Sequence, residues 1–265
     1  MAASLTVVLV TGGNNGLGYE IVKALLESEK PYHILMGSRS LEKAQRAIDK
    51  LRGECPRATD KIEPMEVDIT SDDSIEKAFQ QVKASVGHID VLVNNAGATF
   101  EPAYMAGKLS LRSCFTEAFN VNVAGTQVLT HTFVPLLLGS ANPRLVFVTG
   151  LSHITKAAES YFPTPPLPAG WPKQIGFETI GYRCSKTAVN MLMLDWNHKL
   201  RADGVKVWAV QPGVLVTDLG GLRDKIASMG GAHPSLGGQL VQSVIEGAKD
   251  ADVGKIVGRD GIEPW

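Results

Sequence analysis

The sequence predicts a doubly wound α/β domain, in which a mostly parallel sheet is covered by helices on both faces. Short runs of β-branched and aliphatic residues alternate with longer helical patterns along the 265 residues, as in successive βαβ units. The runs are apolar throughout, as strands buried on both faces are. No repeat or change in composition divides the chain. We therefore expect a single domain over residues 1–265 with roughly seven strands.

The composition argues against several classes of protein. The net charge of −1 gives no general field to attract nucleic acid or an anionic membrane. The three cysteines are irregularly spaced, so we expect neither a disulfide framework nor a metal site, and a reducing compartment such as the cytoplasm is favoured. The apolar run near the N-terminus has no basic flank and is too short to span a bilayer. We interpret it as a buried strand.

The predicted elements follow one another in a regular order along the chain. Each apolar run ends at glycine, proline or polar residues, and a helical pattern follows it. Strands are predicted over residues 6–10, 33–37, 64–68, 91–95, 144–149, 205–212 and 254–258. Helices are predicted over residues 16–28, 41–52, 72–86, 112–136 and 182–200.

Two segments depart from this order. Residues 161–174 read "YFPTPPLPAGWPKQ", and the density of proline excludes helix and central strand. A loop this long inside a compact domain is usually functional or disordered. Its aromatic residues favour a packed lid, so we interpret residues 153–181 as an insertion that covers the substrate. The second segment, "GGLRDKIASMGG", predicts a helical lid between glycine hinges, within a mobile substrate-binding region over residues 218–240.

The first strand runs directly into "TGGNNGLG" at residues 11–18. Glycines at a strand-to-helix turn let the backbone approach a pyrophosphate, and the N-terminus of the helix offers free N–H groups and a partial positive charge. A tight structural turn is the alternative interpretation. The position between a strand and a helix favours a dinucleotide site. The residues predicted to form it are Gly12, Asn14, Asn15, Gly16, Leu17 and Gly18.

The end of the second strand predicts which dinucleotide binds. NAD-binding proteins place Asp or Glu there to hold the ribose 2′-hydroxyl, but this chain has "MGSRS", with Ser38 and Arg39. A carboxylate would repel a 2′-phosphate, whereas a guanidinium can bind one through two charge-assisted hydrogen bonds. Arg39 therefore favours NADP(H), although a solvated loop arginine is the alternative.

The segment "YRCSK" places Tyr182 and Lys186 four residues apart. Four residues is close to one helical turn, so both side chains lie on the same face of a helix. A surface helix with one aromatic and one basic residue would explain the pair equally well on its own. The rest of the chain decides between the two interpretations.

The chain carries four motifs in a characteristic order: "TGGNNGLG", "NNAG" at 94–97, "YRCSK" at 182–186 and "PGVLVT" at 212–217. In this the sequence resembles the short-chain dehydrogenase/reductase family, whose members have a Rossmann-type fold. The long insertion before Tyr182 and the form of the glycine turn look most like the carbonyl-reductase branch. The C-terminal "GRDGIEPW" is a weaker similarity to the same branch.

The resemblance implies a role for each matching residue. Tyr182 is implied as the general acid that protonates a carbonyl oxygen, and Lys186 as the residue that binds the nicotinamide ribose and lowers the tyrosine pKa. An unperturbed phenol, with a pKa of about 10, is a poor proton shuttle at neutral pH, and a nearby ammonium stabilises the phenolate. Asn122, in "FNVNVAG", matches the asparagine that holds a water beside the lysine. Asn120 is a competitor shifted by two residues.

The remaining matches concern the cofactor and the substrate carbonyl. The fifth strand ends in "VFVTGLSH", without the family's usual serine, so either Ser152 or the Thr149 hydroxyl is expected to bind the carbonyl. We favour Ser152, because it lies beyond the carboxyl end of the strand, where such sheets bind ligands. The cofactor contacts implied by the resemblance are Asn95, Ala96 and Gly97 beneath the adenine ribose, Asp68 and Ile69 at the adenine, and Pro212, Gly213, Val214 and Thr217 at the nicotinamide.

These features together predict an NADPH-dependent reductase of a ketone or aldehyde of a hydrophobic small molecule. An NAD(P)-dependent alcohol dehydrogenase running in oxidation is one alternative, and an NADPH-binding scaffold or sensor without redox turnover is another. Residues 187–196 are apolar on nearly every face, which predicts burial on both sides. We therefore expect a monomer, or a homo-oligomer formed through the helix over residues 182–200.

Overall fold

A mixed sheet of eight strands forms the centre of the computed structural model, which describes residues 5–56, 61–161 and 166–265. The strand order is β3-β2-β1-β4-β5-β6-β7-β8, and all neighbours are parallel except the β7–β8 pair. The strands are β1 Thr6–Val10, β2 Tyr32–Ser38, β3 Lys61–Glu66, β4 Val91–Asn94, β5 Arg144–Val148, β6 Lys206–Gln211, β7 Ile256–Gly258 and β8 Gly261–Glu263. The predicted doubly wound α/β domain is confirmed.

Helices cover both faces of the sheet. They are α1 Gly16–Leu26, α2 Leu41–Glu54, α3 Asp72–Ser85, α4 Glu101–Met105, α5 Leu111–Phe119, α6 Thr126–Leu137, α7 Ile154–Glu159, α8 Ile180–Leu200, α9 Arg223–Ser228 and α10 Ser235–Ile245. One apolar core packs the sheet against α3, α6 and α8, and the other packs it against α1, α2 and α10. The central strands are therefore buried on both sides, which explains why they are apolar throughout.

The sheet has one strand more than the roughly seven expected. β8 returns antiparallel along β7 after a two-residue turn at Arg259 and Asp260, and Gly258 pairs with Gly261. Gly261 has a φ of +133°, which L side chains rarely adopt. A strand of three residues is too short to produce a periodic signal, so the sequence pattern did not reveal it.

The helix predicted over residues 112–136 is interrupted. A π-helical turn, Asn120–Gly125, joins α5 to α6. The turn packs directly on the chain after β3, because a Cβ added to Gly125 would lie 2.3 Å from the Ile69 carbonyl oxygen. Single π turns inside α-helices frequently occur at functional sites.

The two irregular segments match the expectations in part. Residues 153–181 contain α7, which was not predicted, and the described residues 166–179 form no helix or strand before α8 begins. The aromatic side chains do not form the packed surface that was expected, since Trp171 is 87% exposed and Tyr161 is exposed. Phe162 lies outside the described residues. The helix expected within residues 220–231 is confirmed as α9. The roles of both segments as lids stay predictions.

The helix α8 is only partly enclosed by its own chain. Val189, Met193 and Trp196 are buried, but Met191 is 66% exposed. The expectation that residues 187–196 are buried on both sides is therefore not met within one chain. Over the described ranges, no helix is long and apolar enough to cross a membrane, and no cluster of His, Cys, Asp or Glu could hold a metal ion.

Candidate active site

The glycine-rich turn between β1 and α1 is built for close contact. Gly12 and Gly16 have φ values of +64° and +53°, and a Cβ on Gly18 would lie only 2.1 Å from the Gly12 carbonyl oxygen. The Asn95 side chain donates to the carbonyl oxygens of Thr11 and Gly12, at 2.8 and 3.3 Å. The "NNAG" segment after β4 therefore fixes the turn that the sequence predicted as a dinucleotide site.

The start of α1 faces this turn with its backbone donors available. Asn15, at the N-cap, makes no side-chain capping hydrogen bond with the described part of the chain. The loop after β6 closes the other side, because a Cβ on Gly16 would lie 3.5 Å from Cβ of Thr217. In that loop Gly213 has a φ of +88°. The structure thus brings the first and fourth sequence motifs together around one helix N-terminus.

The end of β2 presents Arg39 to solvent. Ser38 is buried, and its hydroxyl accepts a hydrogen bond from the Ser40 amide at 3.2 Å. Arg39 is exposed and forms no ion pair with any residue that the structure describes. Beyond β3, the Asp68 carboxylate accepts from the amide and hydroxyl of Thr70, and Ile69 is buried.

Lys186 is buried at the carboxyl end of β5. It is 3% exposed, and its ammonium donates to the Val148 carbonyl oxygen at 2.8 Å. Tyr182 lies one turn earlier on α8, with the Lys186 nitrogen 5.8 Å from the centre of its ring. A Cβ on Gly97 would lie 3.2 Å from the same nitrogen. The pair therefore lies on one helix face, as the spacing predicted, and it faces the "NNAG" segment.

The pKa values of this pair depart from their ordinary values in opposite directions. Burial lowers the pKa of Lys186 to about 8, because it disfavours the charged ammonium. Burial, and secondly the negative charge of Glu101, raise the pKa of Tyr182 to about 12. This direction is opposite to the lowering expected from the lysine. The Lys186 ammonium points to a backbone carbonyl, so desolvation of the phenolate outweighs its attraction.

Asn122 is fully buried in the π turn. Its amide nitrogen donates to the Ala98 carbonyl oxygen and to the Ser185 hydroxyl, at 2.9 and 2.8 Å, and its oxygen accepts from the Ala98 amide at 2.8 Å. The competitor Asn120 is exposed. Asn122 therefore connects the chain after "NNAG" to α8, beside Lys186.

The hydroxyl groups after β5 form a separate buried network. The Thr149 hydroxyl donates to that of Ser152 at 2.9 Å, and the Asn190 side chain donates to Ser152 at 3.0 Å. Asn190 lies two turns beyond Tyr182 on α8. The residue that does approach the Tyr182 hydroxyl is Gly150, where a Cβ would lie 3.0 Å away. The role of Ser152 towards the substrate therefore stays a prediction.

Glu101, at the start of α4, was not singled out from the sequence. It is 1% exposed, and its carboxylate accepts a hydrogen bond of 2.6 Å from the backbone amide of Tyr182. The two residues are 81 positions apart, and a single glutamate after "NNAG" carries no periodic or motif signal. Only the tertiary fold reveals this contact.

The fold and the glycine turn define an α/β protein of the dinucleotide-binding, Rossmann type. A sequence model of the family described as "short chain dehydrogenase" matches residues 6–159 and 172–225. The chain belongs to the short-chain dehydrogenase/reductase family. It is accordingly an oxidoreductase with a fold that binds a nicotinamide cofactor.

Curated relatives align over nearly the whole chain. The short-chain dehydrogenase/reductase tropE of Talaromyces stipitatus is 46% identical, and the match covers 97% of each chain. The short-chain dehydrogenase/reductase eupG of a Phoma species is 41% identical, over 98% of this chain and 97% of the relative.

Solved structures share the fold at lower identity. An NADPH-bound carbonyl reductase from chicken fatty liver superimposes with a TM-score of 0.78 at 23% identity, covering 99% of this chain and 100% of that one. A 3-oxoacyl-[acyl-carrier protein] reductase from Brucella melitensis in complex with NAD has a TM-score of 0.75 at 22% identity, covering 97% and 96%. The fold is therefore shared by proteins with either cofactor.

Proposed function

We propose that this protein is an NADPH-dependent reductase that converts a ketone or aldehyde of a hydrophobic small molecule to an alcohol. The observation that carries the proposal is the buried Lys186 on the same helix face as Tyr182, with Asn122 and Gly97 beside it. Lys186 has no carboxylate partner within the part of the chain that the structure describes, and a buried charge without such a partner is costly. Lys186 lies at the carboxyl end of a parallel strand, and ligand sites of such sheets are found at that end.

The residues around the glycine turn fit a dinucleotide. Side chains at Gly12, Gly16 and Gly18 would be strained or would clash. Because these residues are glycines, the backbone of the turn is open to a pyrophosphate. Arg39 supports NADP(H), because its exposed guanidinium has no carboxylate partner among the described residues. When bound, NADPH supplies the hydride, that is, the two electrons of the reduction.

Tyr182 supplies the proton in this proposal. Its raised pKa keeps the phenol protonated throughout the neutral range, so the donor form is fully populated. The same shift makes the phenol a weaker acid, so the phenolate must be stabilised as the proton leaves. The proton passes from the phenol oxygen to the carbonyl oxygen as the carbonyl carbon is reduced, and the phenolate takes a proton from solvent afterwards. Lys186, next to the phenol and still mostly charged near neutral pH, stabilises that transient phenolate.

Two observations support the substrate class. The relatives tropE and eupG are named dehydrogenase/reductase, and the structure with a TM-score of 0.78 is of a carbonyl reductase. The apolar residues of α9 and its flanks, which follow the loop after β6, favour a hydrophobic substrate.

The test follows NADPH consumption with a panel of aromatic ketones, quinones, aldehydes and cyclic diketones, with NADH in parallel. We expect turnover with NADPH. The change Tyr182→Phe is expected to lower kcat by roughly 10²–10⁴-fold with NADPH binding retained, because only the proton donor is lost. Tyr32→Phe is the matched control, since its hydroxyl donates to Glu246 at the amino end of β2, away from the site.

The alternatives give different results in the same experiment. Alcohol oxidation with NAD, without reduction by NADPH, would favour a dehydrogenase. Tight NADPH binding without oxidation across the panel would favour a scaffold or sensor. Undiminished turnover by Tyr182→Phe would remove Tyr182 as the proton donor.

A further inference from the structure

We propose that Glu101 is a positioning residue for Tyr182: a buried carboxylate that anchors the first turn of the catalytic helix and favours the protonated phenol over the phenolate. The inference rests on the proposed function, because it concerns the residue assigned there as the proton donor. It assigns a role to a residue that lies outside the four sequence motifs.

Both oxygens of the buried Glu101 carboxylate accept hydrogen bonds from the protein. One oxygen of Glu101 accepts from the Tyr182 amide at 2.6 Å. The other accepts from the Thr99 hydroxyl at 2.6 Å and from the Phe100 amide at 3.1 Å. A Cβ on Gly181 would lie 3.2 Å from the first oxygen, so a side chain there would crowd the contact. Glu101 thus ties the segment after "NNAG" to the start of α8.

The charge of Glu101 is compensated without a cation. No ion pair joins it to any residue in the described ranges, although a buried carboxylate usually has a basic partner. The compensation comes from the N-terminus of α8, a helix of 21 residues, whose free amides and partial positive charge favour an anion. The negative charge is therefore held at the backbone amide of Tyr182, the residue that carries the catalytic phenol.

The negative charge of Glu101 destabilises the phenolate form of Tyr182. The coulombic effect of Glu101 is the second cause, after burial, of the raised pKa of Tyr182. Of the other charged groups at this helix end, the Lys186 ammonium bonds to a backbone carbonyl. The Arg183 guanidinium lies 4.4 Å from the Tyr161 ring and donates to the Leu151 carbonyl oxygen.

Two thiols and one further carboxylate complete the surroundings. Cys184 on α8 and Cys114 on α5 have raised pKa values, mainly through burial, so both stay neutral near pH 7. Glu178 accepts from the amides of Thr179 and Ile180, at 2.7 and 3.0 Å. It caps the same helix end as Glu101 but is not among the causes of the shift at Tyr182. Glu178 is therefore a matched control.

The consequence is a site suited to reduction. Reduction needs the phenol, whereas oxidation of the alcohol needs the phenolate as a base. By disfavouring the phenolate, Glu101 confines alcohol oxidation to high pH. The change Glu101→Gln retains an acceptor for the Tyr182 amide and removes the charge, so it separates the electrostatic effect from the structural one.

The experiment compares Glu101→Gln with Glu178→Gln. The ¹³Cζ resonance of Tyr182, assigned by its absence in Tyr182→Phe, reports ionisation of the phenol without any turnover. We expect Glu101→Gln to lower the ionisation pH by roughly half a unit or more. The pH profile of alcohol oxidation should move to lower pH by the same amount. Glu178→Gln should move neither, although both variants remove a negative charge from the N-terminal end of α8.

The outcomes separate the two proposals. An unchanged ¹³Cζ titration in Glu101→Gln, or an equal shift in Glu178→Gln, would overturn the role of Glu101. Absence of turnover in the unmodified protein would instead overturn the proposed function and leave the resonance measurement valid. If Glu101→Gln does not fold, the unmodified protein still provides a test. Its Tyr182 must stay a phenol to about pH 10, and a phenolate signal near pH 8 would overturn the inference.

Discussion

At the scale of single residues, Arg39 is a candidate phosphate ligand because of its position at the end of β2. The residue before it, Ser38, ends β2 and is buried, whereas the guanidinium of Arg39 is exposed at the carboxyl edge of the sheet. A free guanidinium beside the ribose position can bind a phosphate in a planar, bidentate manner, which a lysine cannot. We therefore expect this one side chain to decide between the two cofactors of the proposed function.

The change Arg39→Ala should weaken NADPH binding selectively. Loss of a charge-assisted contact to a phosphate corresponds to about 1.5–3 kcal/mol, or roughly 10–150-fold in Kd. NADH has no 2′-phosphate, so its Kd should change little. Titration of both cofactors, followed by fluorescence, measures the difference. The control is Arg52→Ala, an exposed arginine that pairs with Asp49 on α2. A proportionate loss for NADH would contradict the assignment.

The sequence could predict residues whose partners are close along the chain. Tyr182 and Lys186 share a helix face because of their spacing, and the glycines of residues 12–18 lie in one turn. Glu101 and Gly150 could not be predicted, because their contacts with Tyr182 join segments far apart in the sequence. The burial of Lys186, which sets its pKa, likewise depends on how α8 packs against β5.

At the scale of elements, the turn between β1 and α1 depends on the absence of a side chain. At Gly18 a Cβ would also lie 2.6 Å from the Asn95 side-chain nitrogen, and this nitrogen donates to the turn. Asn95, directly after β4, therefore holds the turn with a side chain that occupies the space next to Gly18. A side chain introduced at Gly18 should therefore disrupt both the local fold and the binding of the cofactor.

The change Gly18→Ala should cost about 2–4 kcal/mol of stability and abolish measurable cofactor binding, because a methyl group cannot be accommodated against backbone. The matched control is Gly53→Ala in α2, where a Cβ meets nothing within 4 Å. It should stabilise the protein by about 0.5–1 kcal/mol, since alanine favours a helix. Urea unfolding and NADPH titration measure both variants. Normal NADPH affinity in Gly18→Ala would contradict the role of the turn.

Elements with a strong period were predicted more reliably than short ones. Strands β1, β2, β4, β5 and β6 lie close to the expected ranges because their apolar runs are long and bounded by turn residues. Strand β8 and helix α7 are short, and helix α10 contains two glycines and no charged residue. The π turn was not predicted; at this turn Gly125 packs against Ile69, a residue far away along the chain, and such a contact leaves no local signal in the sequence.

At the scale of the whole molecule, the two ends of the strands differ: the candidate site lies at one end and a cluster of charged residues at the other. The candidate site lies along the carboxyl ends of the strands. At the amino ends, Arg144, the first residue of β5, is buried and donates to both oxygens of Asp250 and to the Val244 carbonyl oxygen. Lys206, the first residue of β6, donates to Asp250 as well. This cluster joins the sheet to the segment after α10, far from the site.

The cluster gives the fold a defined dependence on acid. The Arg144 and Lys206 contacts hold the pKa of Asp250 down at about 2, against an ordinary value of 3.8. A lowered pKa means that the stabilisation is complete above about pH 4 and is lost as pH falls towards about 2. Since 35% of the Asp250 side chain is exposed, solvent screening reduces the effect to about 1–2 kcal/mol.

The change Asp250→Asn should therefore destabilise the protein in a pH-dependent way. Near neutral pH it leaves a buried guanidinium without its carboxylate, which should cost roughly 2–4 kcal/mol. Below about pH 4 the difference from the unmodified protein should shrink, because the unmodified protein then loses the same interaction by protonation. Urea unfolding across this range measures the difference, with Asp252→Asn, which loses a surface pair with Lys255, as the control. A difference that stays constant with pH would mean that Asp250 contributes through packing, and the charge of the cluster would not explain the stability of the amino edge.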